Sequence, residues 1–131
     1  MEILQPEGWA KPRGYSNGVA ASGRTVCVSG MIGWDANSQF HTDDFAGQVR
    51  QALQNIVDVL AEAGAQPEHI VRMTWYVVDK REYLGAAKEV GAAYRDIIGR
   101  HYPAMTAVQV AGLIEDRARV EIEATAIVPE P

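Results

Sequence analysis

The sequence predicts an α+β domain of two layers, with two helices packed on one face of a sheet, in the order β-β-β-α-β-α-β-β. Three observations carry this. Two stretches, residues 43–63 and 80–99, repeat apolar residues at helical spacing. Several shorter runs are β-branched or alternate strictly, above all residues 118–128. Two amphipathic helices can cover only one face of such a sheet. With 131 residues and no repeat, low-complexity stretch or linker, the chain reads as a single domain, 1–131.

Taken in order, Glu2 to Gln5 reads as a short edge strand stopped by Pro6. Residues 6–17 form a loop rich in Pro and Gly, where Trp9 and Tyr15 are amphipathic side chains of the kind that cover a core edge. Gly18 to Ala21 and Arg24 to Ile32 are predicted to form a hairpin through Ser22-Gly23. Gly33 to Thr42 is a turn-rich connection. The helix over 43–63 aligns Phe45, Val49, Ala52, Leu53, Ile56, Val59, Leu60 and Ala63; Thr42, Asp43 and Asp44 cap it and Gly64 ends it.

A strand from His69 to Val78 follows, with Val71, Met73, Trp75 and Val77 on one face and Arg72, Thr74 and Tyr76 on the other. The second helix, Lys80 to Gly99, opens on Asp79 with Glu82 three residues later, a capping-box pattern. Its apolar stripe is Tyr83, Leu84, Ala87, Val90, Tyr94, Ile97 and Ile98. The chain closes with a strand (Thr106 to Leu113), a turn at Glu115-Asp116 and a longer strand (Ala118 to Val128). In the last, Val120, Ile122, Ala124, Ala126 and Val128 share one face; Arg119, Glu121, Glu123 and Thr125 share the other. Charges in one row on a strand usually mark a solvated face.

The sheet face away from the helices is assigned Cys27, Ser29, Met31, Thr74, Tyr76, Ala107, Gln109, Arg119 and Glu121. That mixture is too apolar for bare surface and too polar for an interior, which suits an assembly interface with a wet cleft. Net charge is −5 with no basic run, so the composition argues against a grip on a phosphate backbone and predicts no nucleic-acid partner. No apolar run approaches a membrane span and no leader pattern opens the chain, so no membrane partner is expected. The single cysteine, Cys27, sits mid-strand and reads as a buried structural thiol of a cytoplasmic protein. His41, His69 and His101 are scattered, so no metal is expected, nor any other cofactor.

Tyr102-Pro-Ala-Met-Thr-Ala-Val108 followed by Val120-Glu121-Ile122-Glu123-Ala124 resembles the closing signature of the RidA/YjgF family of enamine/imine deaminases. Gly14-Tyr15-Ser16-Asn17-Gly18 is similar to that family's Pro-Tyr-Ser-x-(Ala/Gly) segment, and Val28-Ser29-Gly30-Met31-Ile32-Gly33 to its Ser-Gly-Gln-Ile strand end. The resemblance spans essentially the whole chain, in order and at similar spacing. It implies a chorismate-mutase-like fold, a homotrimer whose sheets meet in a central barrel, and one ligand cleft at each subunit boundary.

It also implies roles. Glu121 matches the carboxylate that orients the attacking water. Tyr15, Ser29, Gly30, Met31, Met105, Thr106 and Ala107 match positions that bind a small-molecule substrate. Four departures stand out: Met105 replaces the family's carboxylate-clamping arginine, Ala107 a cysteine-like position, Met31 the glutamine of Ser-Gly-Gln, and Gly91 an asparagine on the second helix. Methionine offers neither charge nor donor, so 2-iminopropanoate activity should be weak or absent. The expected function is hydrolysis of another small imine or enamine; the alternative is a non-catalytic metabolite-binding trimer using the same cleft. Arg119 could restore the missing charge or pair with Glu121 or Glu123.

Overall fold

The computed structural model describes residues 1–131. Its six strands are β1 (Glu2–Leu4), β2 (Gly18–Ala20), β3 (Arg24–Met31), β4 (Ile70–Val77), β5 (Ala104–Gln109) and β6 (Val120–Val128). The helices are α1 (Phe45–Glu62), α2 (Lys80–Gly85) and α3 (Ala87–Ile97). β3, β6, β4 and β5 form a four-stranded sheet in that order, antiparallel except for the β4–β5 pair. The helices cover one face, as expected for a two-layer α+β fold.

The core lies between that face and α1. Ile56, Leu53 and Leu60 of α1 are fully buried against Ile70 and Met73 of β4 and Ile122 of β6. Burying each such side chain contributes about 1.5–3 kcal/mol. The Asp44 carboxylate caps α1 by accepting from Gly47 N–H at 2.9 Å. Gln48 is the buried polar exception. Its amide donates to the carbonyls of Thr42 (3.1 Å) and Arg117 (3.0 Å) and accepts from Arg119 N–H (2.8 Å), so it fixes the entry of β6 onto α1.

Several expectations need correction. β2 does not form a hairpin with β3; it pairs with β1 in a separate two-stranded sheet. Gly18–Ala20 offers β3 almost no side-chain area to pack on, whereas β6 offers Ala124, Ala126 and Val128. The two closing strands, on whose pairing the sequence is silent, are β5 and β6, and β4 lies between them. β5 begins two residues earlier than predicted and ends at Gln109; Val110 N–H donates to Val77 O, where β4 itself ends. The second helix breaks at Ala86, just after Gly85, a residue that weakens helix interiors. Asp79 does cap it, accepting from Arg81 N–H at 2.9 Å, but Glu82 turns away from Asp79 to bind Arg119.

Two register shifts reassign the faces. One, between Ile70 and Arg72, buries Ile70 in the position predicted for Val71. The other, between Val28 and Met31, places Ser29 and Gly30 in an exposed irregularity and turns Met31 onto the core, opposite Ile122. In β5, Met105 and Ala107 pair with Met73 and Trp75 and so share the helix side; Thr106 and Val108 lie on the outer face with Thr74 and Tyr76. Cys27, expected to be buried, is exposed in the single chain. Trp9 covers no core edge and is 63% exposed.

Candidate functional site

The residues singled out in the sequence fall into two groups on opposite sides of the sheet. On the outer face, Glu121 of β6 stands opposite Tyr76 of β4, with Glu123 opposite Thr74. Tyr76 donates its phenolic hydrogen to Glu123. That bond, with partial burial and the charges of Glu123 and Glu121, holds the Tyr76 phenol above its ordinary pKa, so it stays protonated. Glu121 has no hydrogen bond and no ion pair.

Gly30 explains how that carboxylate fits. A Cβ on Gly30 would stand 2.0 Å from Glu121 Oε2 and 2.7 Å from its carboxyl carbon, so any side chain there would push the Glu121 carboxylate out of this position. Glu121, Gly30, Tyr76 and Glu123 line a cleft of about 420 Å³ walled by the apolar side chains Val110, Leu113 and Ile114. Ile114 is 97% exposed. Thr106 lies in an adjoining cavity on the same face, with Arg72, Thr74 and Tyr76. Ser29 is exposed beside Gly30.

The second group is on the helix side of β5. Residues 13–16 run along the start of that strand: Ser16 bridges Ala104, its N–H donates to Pro103 O (3.0 Å) and its hydroxyl to Tyr102 O (2.5 Å). This brings Tyr15 beside Met105 and Ala107. Together they open into a cavity of about 620 Å³ between β5 and α2–α3, in the usual size range of small-molecule sites. Tyr94 and Tyr102 stack in its wall with centroids 5.5 Å apart. Burial, with the Tyr102 ring beside it, raises the Tyr94 phenol well above its ordinary pKa, and its hydroxyl donates to His101 O. Trp75, 4% exposed, lines the cavity and has an indole N–H with no acceptor. An unsatisfied buried donor costs about 1–3 kcal/mol.

The chain matches the family model described as Endoribonuclease L-PSP over residues 9–128. It is 34% identical over 114 residues to the human 2-iminobutanoate/2-iminopropanoate deaminase, covering 86% of this chain and 79% of that one. The enzyme of the same name from Salmonella typhimurium is 32% identical over 108 residues, 80% of each chain. A solved structure from Yersinia pestis, a protein of unknown function of the conserved Rid protein family, superposes with a TM-score of 0.83 at 32% identity, covering 97% of this chain and 98% of that one. The chain belongs to the RidA/YjgF family.

Within this RidA/YjgF chain Glu121 and Gly30 do not meet the second group; only Thr106 does, sharing a hollow at the β5 edge with Tyr15 and Met105. β3 and β5 are opposite edges of the sheet, so Gly30 and Met105 are at least three strand spacings, ~14 Å, apart, and Glu121 and Met105 lie on different layers. Met31 belongs to neither cavity, and Trp34 packs on Phe40 in the connection after β3, at 5.9 Å between centroids. Arg119 is drawn away from Glu121 altogether. Its guanidinium binds Glu82 at 3.0 Å and Asp43 O at 3.0 Å. The histidines are occupied structurally: His41 by Asp35 (2.6 Å), His69 by Gln66 N–H (3.0 Å) and His101 by Ile70 O (2.6 Å).

Sequence reasoning missed Arg13, Arg95 and Trp75 as cavity residues. One signal was available: Tyr83, Leu84, Ala87, Val90 and Tyr94 make a stripe wider than one sheet edge can bury. Leu84 is 66% exposed at the cavity wall.

Proposed function

We propose that this chain is a RidA-like hydrolase of a small imine or enamine, working in the cytoplasm as a homotrimer, with Glu121 as its water-orienting group. The observation that carries the reading is the free Glu121 carboxylate, kept open by Gly30 and unclaimed by Arg119. In the reaction, water attacks the C=N carbon while Glu121 accepts its proton. The nitrogen is protonated, the C–N bond breaks, and ammonia and a ketone leave. Water and imine thus balance ketone and ammonia without a cofactor.

The proposed assembly would account for the division of labour. A closed ring of copies sets the β3 edge of one subunit beside the β5 edge of the next, so one copy's Glu121, Gly30 and Ser29 face another's Tyr15, Met105, Thr106 and Ala107. The outer-face mixture of exposed Cys27 and Val108 with half-buried Thr74 and Tyr76 suits the centre of such an assembly. The acidic composition favours a small-molecule ligand over nucleic acid.

Met105 favours a second reading, in which the cleft binds a metabolite without turning it over, because methionine cannot replace a charge-assisted fork. The experiment measures ammonia release from a series of imines generated in situ from amino acids, for wild type and Glu121→Gln. Turnover of at least one imine, lost in Glu121→Gln, supports the hydrolase. Absence of turnover across the series, with product analogues still bound, supports the binding module.

A further inference from the structure

We propose that the helix-side cavity selects an aromatic 2-imino acid, with Arg95 holding its carboxylate; this deepens the hydrolase reading and rests on it. Arg13 and Arg95 are the only charged side chains lining the cavity, and neither takes part in an ion pair or a side-chain hydrogen bond. No acidic residue faces them there. An unopposed guanidinium pair at the edge of an apolar cavity is complementary to an anion with an apolar body.

Arg95 lies over a glycine one turn earlier. Arg95 Nη1 lies 3.2 Å from where a Cβ on Gly91 would stand, so the guanidinium folds back over that bare stretch of α3 into the cavity. A longer side chain at 91 would occupy that space. The positive charge absent from β5 at Met105 is thus supplied from the facing helix, further from the strand. The gap between them is left for a bulkier substrate.

The walls define that bulk. Tyr15, Tyr94 and Tyr102 present rings, Met105 and Leu84 present flexible apolar chains, and Trp75 keeps an indole N–H that lacks an acceptor. Methionine packs favourably against aromatic edges. The cavity of about 620 Å³ far exceeds what a three- or four-carbon imino acid fills.

Phenylpyruvate and pyruvate, the stable ketone counterparts of a large and a small substrate, are the probes, titrated calorimetrically into the full-length protein. Phenylpyruvate is expected to bind at least about tenfold more tightly than pyruvate. Arg95→Ala should weaken phenylpyruvate about ten- to a hundredfold, and Arg95→Lys by less. The Trp75 indole N–H resonance should move when phenylpyruvate binds. Equal affinity for the two acids, an Arg95→Ala variant that binds like wild type, or a static Trp75 resonance overturns the proposal. Glu121→Gln separates this from the hydrolase reading: it should bind phenylpyruvate normally while losing turnover. Failure of selectivity leaves the role of Glu121 standing, and failure of the Glu121 variant leaves the selectivity standing.

Discussion

The two cavities are opposites. The outer-face cleft is acidic, holding Glu121 and Glu123 with a phenol that stays protonated; the helix-side cavity is basic at its edge and aromatic in its walls. One is suited to managing a water and its proton, the other to gripping an anion with an apolar body. Within one chain the sheet between them keeps Arg95 and Glu121 apart, so the two would meet only across a boundary between copies, with the substrate between them. A carboxylate with no partner can accept a proton, whereas one locked by arginine has its pKa lowered and is a poorer base.

The largest expected effect comes from removing the base. Glu121→Gln should lower turnover about 10²- to 10⁴-fold, the usual share of general acid–base catalysis, with ligand affinity unchanged. A variant that weakens binding equally would place Glu121 in the anion grip and erase the contrast between the cavities. Next, Met105→Arg should raise activity on 2-iminopropanoate about ten- to a hundredfold by restoring a charge-assisted fork. Steady-state ammonia release checks this, and no gain would mean that Met105 does not face the substrate.

A third prediction concerns the phenols that mark each cavity. Tyr76 and Tyr94 both have raised pKa values, so the folded chain holds protons that the unfolded chain releases near pH 10. Their contribution to stability is complete below that pH and is lost as pH climbs through the higher folded values. The denaturation midpoint should therefore fall above pH 10, and Tyr94→Phe should flatten the decline. An unchanged slope would mean that Tyr94 titrates normally. The smallest effect belongs to Arg119→Ala. Its pair with Glu82 is still partly solvated, so denaturant titration should register a loss of about 1 kcal/mol, with turnover unaltered. A tenfold change in turnover would return Arg119 to the site.

Much of the fold was legible because its signals are local. The stripe from Phe45 to Leu60, the Asp44 and Asp79 caps and the alternation from Val120 to Ala126 each depend on neighbours a few residues away. What failed was non-local. Nothing near Gly18–Ala20 says that its partner is β1, and nothing in Thr106–Leu113 says that β4 intervenes before β6. One extra residue in β3, three steps from Val28 to Met31 against two from Ala124 to Ile122 on β6, was enough to turn Met31 from the predicted cleft onto the core, because the side-chain period of a strand is two. Arg119 escaped its predicted row for a similar reason: it precedes β6, where Gln48 holds its N–H and Glu82 draws its side chain to the helices.

The site was legible as a set of residues but not as a place. Glu121 and Gly30 do come together, and so do Tyr15, Met105 and Ala107, yet the sheet divides them. Gly91 read in sequence as a lost asparagine; in three dimensions it is the space through which Arg95 enters the cavity.

In the proposed assembly, one copy's Glu121 works on a substrate gripped by another copy's cavity. Glu121→Gln and Ala107→Trp, the second filling the cavity, should each be inactive alone. Refolded together in equal amounts, they should recover about a quarter of wild-type turnover, the statistical share of boundaries that receive both intact halves. Mixed assemblies that form, carry both variants and remain inactive would contradict the account.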